Sequence, residues 1–230
     1  LGGVEASMRR LAHYDYWQER IRPGLMADCD ADCLVWGMGE KPTTEIARRL
    51  TDAIESYHPA LFYDGNGEAY ITREVFRDEA THVPQTVWMS ETRPADCVEL
   101  ASYEECLENK KAHAANFRII EEESNAMQAR RIVQKTGERY MVCEPQFQPP
   151  TTEELDAIYD LPFTRLPHPK YNGHRIPAYE MIRHSITMHR GCFGGCAFCT
   201  ISAHQGKFVA SRSKESILRE AERITQMPDF

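Results

Sequence analysis

Gly191-Cys192-Phe193-Gly194-Gly195-Cys196-Ala197-Phe198-Cys199 is the stretch on which the reading of this chain turns. Three thiols fall within eight residues, from Cys192 to Cys199. An extended residue spans at most about 3.3 to 3.6 Å, so a loop of this length reaches around a small inorganic centre and all three sulfurs can face it. Gly191, Gly194 and Gly195 let the backbone take left-handed or crowded conformations close to that centre. Structural zinc usually takes four ligands in two separated pairs, and iron–sulfur cubanes usually take four cysteines. Here there are three cysteines and no second pair. On a four-iron cluster, three thiolates would leave one iron open to an exogenous ligand, which makes a reactive site rather than a plain electron carrier. The competing reading completes a zinc site with a histidine such as His189 or His204, and turns the loop into a structural staple.

The flanks of the loop read as strand and helix. Ile182 to Met188 is expected to be a strand leading into it, and Ser213 can cap a final helix whose apolar stripe is Ile217, Leu218, Ala221 and Ile224. Upstream, Leu166-Pro167-His168-Pro169 and Asn172-Gly173-His174 read as an irregular linker. Before it, Thr151-Thr152-Glu153-Glu154 fits a capping box that starts a helix with Leu155, Ile158 and Tyr159 buried and Pro162 at its end. Pro145, Pro149 and Pro150 forbid a central strand or helix and mark a domain boundary after the strand Tyr140–Cys143.

Further upstream the pattern is α/β. Asp32 to Trp36 is a short apolar strand entering the glycine turn Gly37-Met38-Gly39-Glu40, and Ile46, Leu50 and Ile54 give the next helix its face. Val4, Met8 and Leu11, followed by Tyr14, Tyr16 and Trp17, are expected to pack against a core. Asp64-Gly65-Asn66-Gly67 is a turn signal, Gln85 to Met89 a further strand, and Tyr103 to Val133 a charged helical stretch. Helix, strand, glycine turn and helix in this order predict a parallel sheet covered on both faces.

With 27 basic and 35 acidic residues the net charge is −8, so overall charge does not suggest a polyanion-binding surface. A basic patch of Arg9, Arg10, Arg20 and Arg22 reads more simply as a solvated helix face, and nucleic acid is not an expected partner. A hydrophobic fraction of 42% and a charged fraction of 27% belong to a globular chain. No apolar run approaches the roughly 20 residues that span a bilayer, and no secretory leader is visible, so the expected setting is the cytoplasm. Cys29, Cys33, Cys97, Cys106 and Cys143 lie among apolar or helical neighbours and are expected to be small buried hydrophobes. Cys29 and Cys33 have a ligand-like spacing but lack partners.

The cysteine spacing of three and then two residues, with Phe198 just before the last cysteine, resembles the signature of radical S-adenosylmethionine (SAM) enzymes. The likeness narrows to the YgiQ-type radical SAM family. Gly2-Gly3-Val4-Glu5-Ala6-Ser7, His13-Tyr14-Asp15-Tyr16-Trp17, Gly37-Met38-Gly39-Glu40, Thr152-Glu153-Glu154-Leu155, His189 to Cys196 and Ser211-Arg212-Ser213-Lys214-Glu215-Ser216-Ile217 resemble it in order and spacing.

The resemblance implies the C-terminal part of a flavodoxin-like, cobalamin-binding-like domain over 1–101, a charged helical connector and strand over 102–150, and a linker with the first βα unit of a radical SAM (β/α) barrel over 151–230. On that pattern the chain is an internal fragment. Cys192, Cys196 and Cys199 would each bind one iron of a 4Fe–4S cluster, and S-adenosyl-L-methionine would chelate the fourth. Reductive cleavage would give a 5′-deoxyadenosyl radical that abstracts hydrogen from an unknown substrate. Phe198 would lie beside the adenine, unless it simply packs beneath the loop. An electron donor such as flavodoxin or ferredoxin is implied. Cobalamin is left undecided, because the histidine loop of familiar cobalamin domains would lie upstream of Leu1.

Overall fold

The computed structural model describes residues 1–56, 66–67, 70–171, 173–227 and 230. The turn expected at Asp64-Gly65-Asn66-Gly67 and the linker position Asn172 fall wholly or partly outside the described residues. In chain order the elements begin with α1 (Gly3–Met8), β1 (His13–Asp15), β2 (Arg20–Arg22), α2 (Leu25–Asp28), β3 (Leu34–Val35), α3 (Glu40–Ser56) and α4 (Arg73–Ala80). Then come β4 (Thr86–Ser90), β5 (Cys97–Glu99), α5 (Tyr103–Glu108), α6 (Lys110–Ser124), β6 (Arg131–Thr136) and β7 (Arg139–Cys143). The last are α7 (Thr152–Tyr159), α8 (Pro177–Ile182), β8 (His189–Arg190), α9 (Ile201–Gln205), β9 (Ala210–Ser211) and α10 (Lys214–Thr225). They form two compact units: Leu1–Gln148 with Phe193–Lys207, and Pro149–Cys192 with Phe208–Phe230.

The first unit is built on a five-stranded sheet of order β3-β4-β7-β6-β5. It is mixed, not parallel as the sequence suggested: only β5 and β6 run parallel, and the other pairings are antiparallel. The links explain both cases. β6 and β7 are joined through Gly137-Glu138, with Thr136 paired to Arg139 and Gly137 at φ +60°, and a two-residue turn can only reverse the chain. β5 and β6 are separated by α5 and α6, the crossover that a parallel pair requires. The stretch 102–150, read as a charged helical connector and one strand, carries two inner strands of this sheet. β6 hid in the charged segment because its buried Ile132 and Val133 are flanked by Arg130, Arg131, Gln134 and Lys135.

Alternation along β3 splits the core. Leu34 joins a cluster with Ala6, Leu11, Met26, Val87, Ile132 and Met141, whereas Cys33 and the half-buried Val35 pack with Ile46, Ala80 and Val83 beside α3 and α4. In α3 the buried positions are Pro42, Ile46 and Ala53, while Ile54 is exposed. Seven residues complete nearly two turns of a 3.6-residue helix, so position 53 returns to the face of 46 and position 54 has rotated past it.

At the N-terminus the face differs from expectation. Ala6, Ser7 and Leu11 are buried, Val4 and Met8 are exposed, and Tyr14, Tyr16 and Trp17 stand in solvent on the β1–β2 hairpin. The basic patch dissolves as well. Arg10 is buried, donating to Ser7 O and to Ser124 Oγ, with its guanidinium 4.5 Å from the Trp36 ring centroid. Arg9 meets Glu5 and Asp15, and Arg22 meets Asp28.

Gly24 supplies a stringent packing test. Its backbone is ordinary (φ −64°), but a Cβ there would sit 2.9 Å from Arg10 O and on the Met141 side chain. Gly24→Ala is expected to cost about 1–3 kcal/mol by overpacking, read as a lowered urea midpoint. An unchanged midpoint would contradict this packing.

In the second unit α7 opens with the expected capping box, Thr151 Oγ1 accepting from Glu154 N while the Glu154 carboxylate accepts from Thr151 N. Leu155 is its buried anchor. Ser213 caps α10 through Ser216 N. The buried face of α10 is Ser216, Glu220 and Ile224, and Leu218 is exposed, so part of the expected apolar stripe is replaced by a polar network.

Candidate metal-cluster loop

The strand expected from Ile182 to Met188 is not one. Pro177 at the first turn starts α8, which runs to Ile182, and the strand proper is only β8, paired antiparallel with β9. Two of the intervening carbonyls are taken by arginine side chains, and only Met188 O is reached by a backbone N–H that continues the β8–β9 pairing. Arg165 donates to Ser185 O (2.7 Å), Arg212 donates to Thr187 O (3.0 Å), and the Arg212 backbone N–H donates to Met188 O (2.9 Å). The Arg212 guanidinium is fully buried, pairs with Glu220, donates to Ser216 Oγ (2.8 Å) and lies 4.2 Å from the Tyr159 ring centroid. Arg190, two residues before Cys192, donates to Tyr159 Oη at 3.0 Å. An arginine–tyrosine–glutamate cluster in the second unit therefore fixes the chain as it enters the loop.

Within the loop, Gly191 (φ +86°) and Gly195 (φ +61°) occupy the left-handed region that their lack of a Cβ makes cheap. Cys192 and Cys199 are half-buried and Cys196 is exposed; Cys199 N donates to Cys196 O at 3.0 Å, closing a turn between the last two thiols. Phe198 is 91% exposed, so it does not pack beneath the loop. Among the described residues no three His, Cys, Asp or Glu side chains stand where they could hold one metal ion.

On leaving the loop the chain is gripped by the first unit. α9 packs on α1, the His204 ring Nδ1 lies 2.8 Å from Ser7 Oγ, and Lys207 Nζ lies 3.2 Å from Glu121. Ser7 Oγ also accepts from Gly37 N (2.8 Å), which ties α1 to the turn Gly37-Met38-Gly39-Glu40. Nothing in the sequence signals this contact, whose members are 197 positions apart.

The donor chemistry of the loop nevertheless suits a metal. Ligation needs an accessible thiol that can ionise. Burial pushes the Cys33 and Cys143 thiols up to about 11, and it raises Cys106 also, which suits these three to packing alone. Cys29 departs from the expected burial: it closes α2 on the surface with Sγ donating to Leu25 O (3.0 Å). Cys97 is half-buried.

Comparison with known proteins completes the picture. The sequence model of the Radical SAM N-terminal family matches residues 1–185. The chain belongs to the YgiQ-type radical SAM family. The family's UPF0313 proteins include one from Bacteroides thetaiotaomicron, 51% identical over 234 residues, which cover all of this chain and 36% of that protein. Those from Porphyromonas gingivalis (49% identical) and Geobacter sulfurreducens (43% identical) are matched over all of this chain and over 34% and 35% of their own lengths. The chain thus spans about a third of the radical SAM relatives it matches. No solved structure matches it. No helix among the described residues is long and apolar enough to cross a membrane.

Proposed function

We propose that the full protein is a radical SAM enzyme and that Cys192, Cys196 and Cys199 are the protein ligands of its 4Fe–4S cluster. The observation that carries the reading is the three-thiol loop, spaced by three and then two residues, in a chain of the radical SAM family. When bound, cluster and SAM together supply reductive cleavage of the SAM carbon–sulfur bond and a 5′-deoxyadenosyl radical that takes hydrogen from the substrate. The residues of this chain hold and orient. The Arg212–Glu220–Tyr159 cluster fixes the carbonyls ahead of Cys192, and the backbone bond from Cys199 N to Cys196 O closes a turn between the other two cysteines. Phe198, exposed next to Cys199, would lie beside the adenine of SAM. The flavodoxin-like ancestry of the first unit and the barrel that follows α10 belong to this same reading. So do a cytoplasmic location, where thiols stay reduced, and a small redox protein as electron donor.

Anaerobic reconstitution of the full-length protein with iron and sulfide tests the assignment. About four irons and four sulfides per chain are expected, the stoichiometry of a cubane. Tightly held zinc, with neither iron nor sulfide, would instead make the loop a structural staple.

A further inference from the structure

Ser7 joins three pieces of chain that are remote in sequence. It is fully buried in α1, and its Oγ has three polar neighbours: Gly3 O at 3.0 Å, Gly37 N at 2.8 Å and His204 Nδ1 at 2.8 Å. A hydroxyl carries one proton and two acceptor lone pairs. The proton goes to Gly3 O and one lone pair receives Gly37 N–H, so the bond to His204 is donated by the ring from Nδ1.

Shape reinforces the polarity. Gly37 stands at φ +71°, and a Cβ there would lie 3.0 Å from Gln85 Nε2 and 3.3 Å from His204 O. Gln85 cannot swing away freely: it is buried, its amide donates to Trp36 O and Met38 O at 2.9 Å each, and its Oε1 accepts from Phe147 N at 3.1 Å. The pocket that receives α9 is therefore held rigid by the sheet turn. α9 has only five residues, too few for a helix to sustain itself, so its position depends on this seat and on the Lys207–Glu121 pair.

We propose that Ser7 and His204 are positioning residues that latch the Cys196–Cys199 half of the cluster loop to the sheet of the first unit. The proposal rests on the cluster assignment above and gives the N-terminal unit a share in building the metal site. His204 lies five residues beyond Cys199, within one short helix of it. A latch there limits the excursions of the two thiols that must hold adjacent irons.

The experiment compares full-length wild type with Ser7→Ala, His204→Ala and His204→Asn, the last of which keeps an N–H donor at the distance of Nδ1. In the metal-free proteins, backbone amides over 193–207 are expected to exchange about tenfold faster in both alanine variants, the effect of losing the Ser7–His204 hydrogen bond that the two have in common. Exchange in β4, β6 and β7 stays at the wild-type rate. After reconstitution the alanine variants bind less iron and their electron paramagnetic resonance (EPR) signal broadens, and His204→Asn recovers both. Exchange and iron content at wild-type levels in the alanine variants would overturn the latch. So would faster exchange throughout the sheet, which marks a role in folding alone, or an Asn variant that behaves as Ala. If wild type itself takes up no iron, the cluster assignment fails, and the exchange pattern over 193–207 still decides the latch.

Discussion

Cys196→Ala in the full-length protein is expected to abolish the reconstituted four-iron signal while leaving the metal-free fold intact. Cys196 is exposed, and its side chain fills no core space. Exposed substitutions of this kind usually move stability by less than about 0.5 kcal/mol. Loss of one thiolate in three leaves two, too few to hold a cubane that already lacks a fourth protein ligand. Cys143→Ala is the matched control. Its thiol is buried in the core and pushed up to about 11, so the change is expected to lower stability and leave iron binding unaltered. Iron content and urea midpoint, measured on both variants, check the pair. Equal iron in Cys196→Ala and wild type would remove this thiol from the ligand set.

Arg212→Ala is expected to be the most destabilising substitution in the second unit, by about 3 kcal/mol. A buried ion pair broken from one side leaves the other charge without its partner, at a cost of roughly 3–5 kcal/mol. Arg165 still meets Glu220 at 2.6 Å, which places the expected loss at the lower end. The substitution also releases Thr187 O and uncovers the Tyr159 ring, the groups that fix the approach to Cys192. Arg212→Lys keeps the charge without the fork that reaches Thr187 O, Ser216 and Glu220 together, and is expected to recover only part of the loss. Denaturation midpoints followed by tryptophan-independent far-ultraviolet circular dichroism check this. A change below about 1 kcal/mol for Arg212→Ala would show that the buried network does not stabilise the unit.

Local chemistry was legible in the sequence wherever a short-range rule governs it. The Thr151–Glu154 capping box, the Ser213 cap, the helix beginning near Pro42 and the strands around Val87 and Val142 all follow from such rules. Strand direction was not, because direction is set by the links: the two-residue link Gly137-Glu138 between β6 and β7 would have shown the hairpin, had β6 been seen under its flanking charges. Ile182–Met188 has the alternation of a strand, but its carbonyls are claimed by two arginines from elsewhere in the second unit. The cysteine loop was fully legible as a motif. The residues that seat it were not, since Ser7, Gly37 and His204 meet only through the fold.

The most direct test of the cluster assignment is low-temperature EPR of the dithionite-reduced, reconstituted full-length protein, recorded with and without SAM. A four-iron signal whose g-values change when SAM is added is the result predicted for a cluster held by three cysteines with one iron open. A signal indifferent to SAM, or a protein that holds zinc and yields no iron signal, would contradict it.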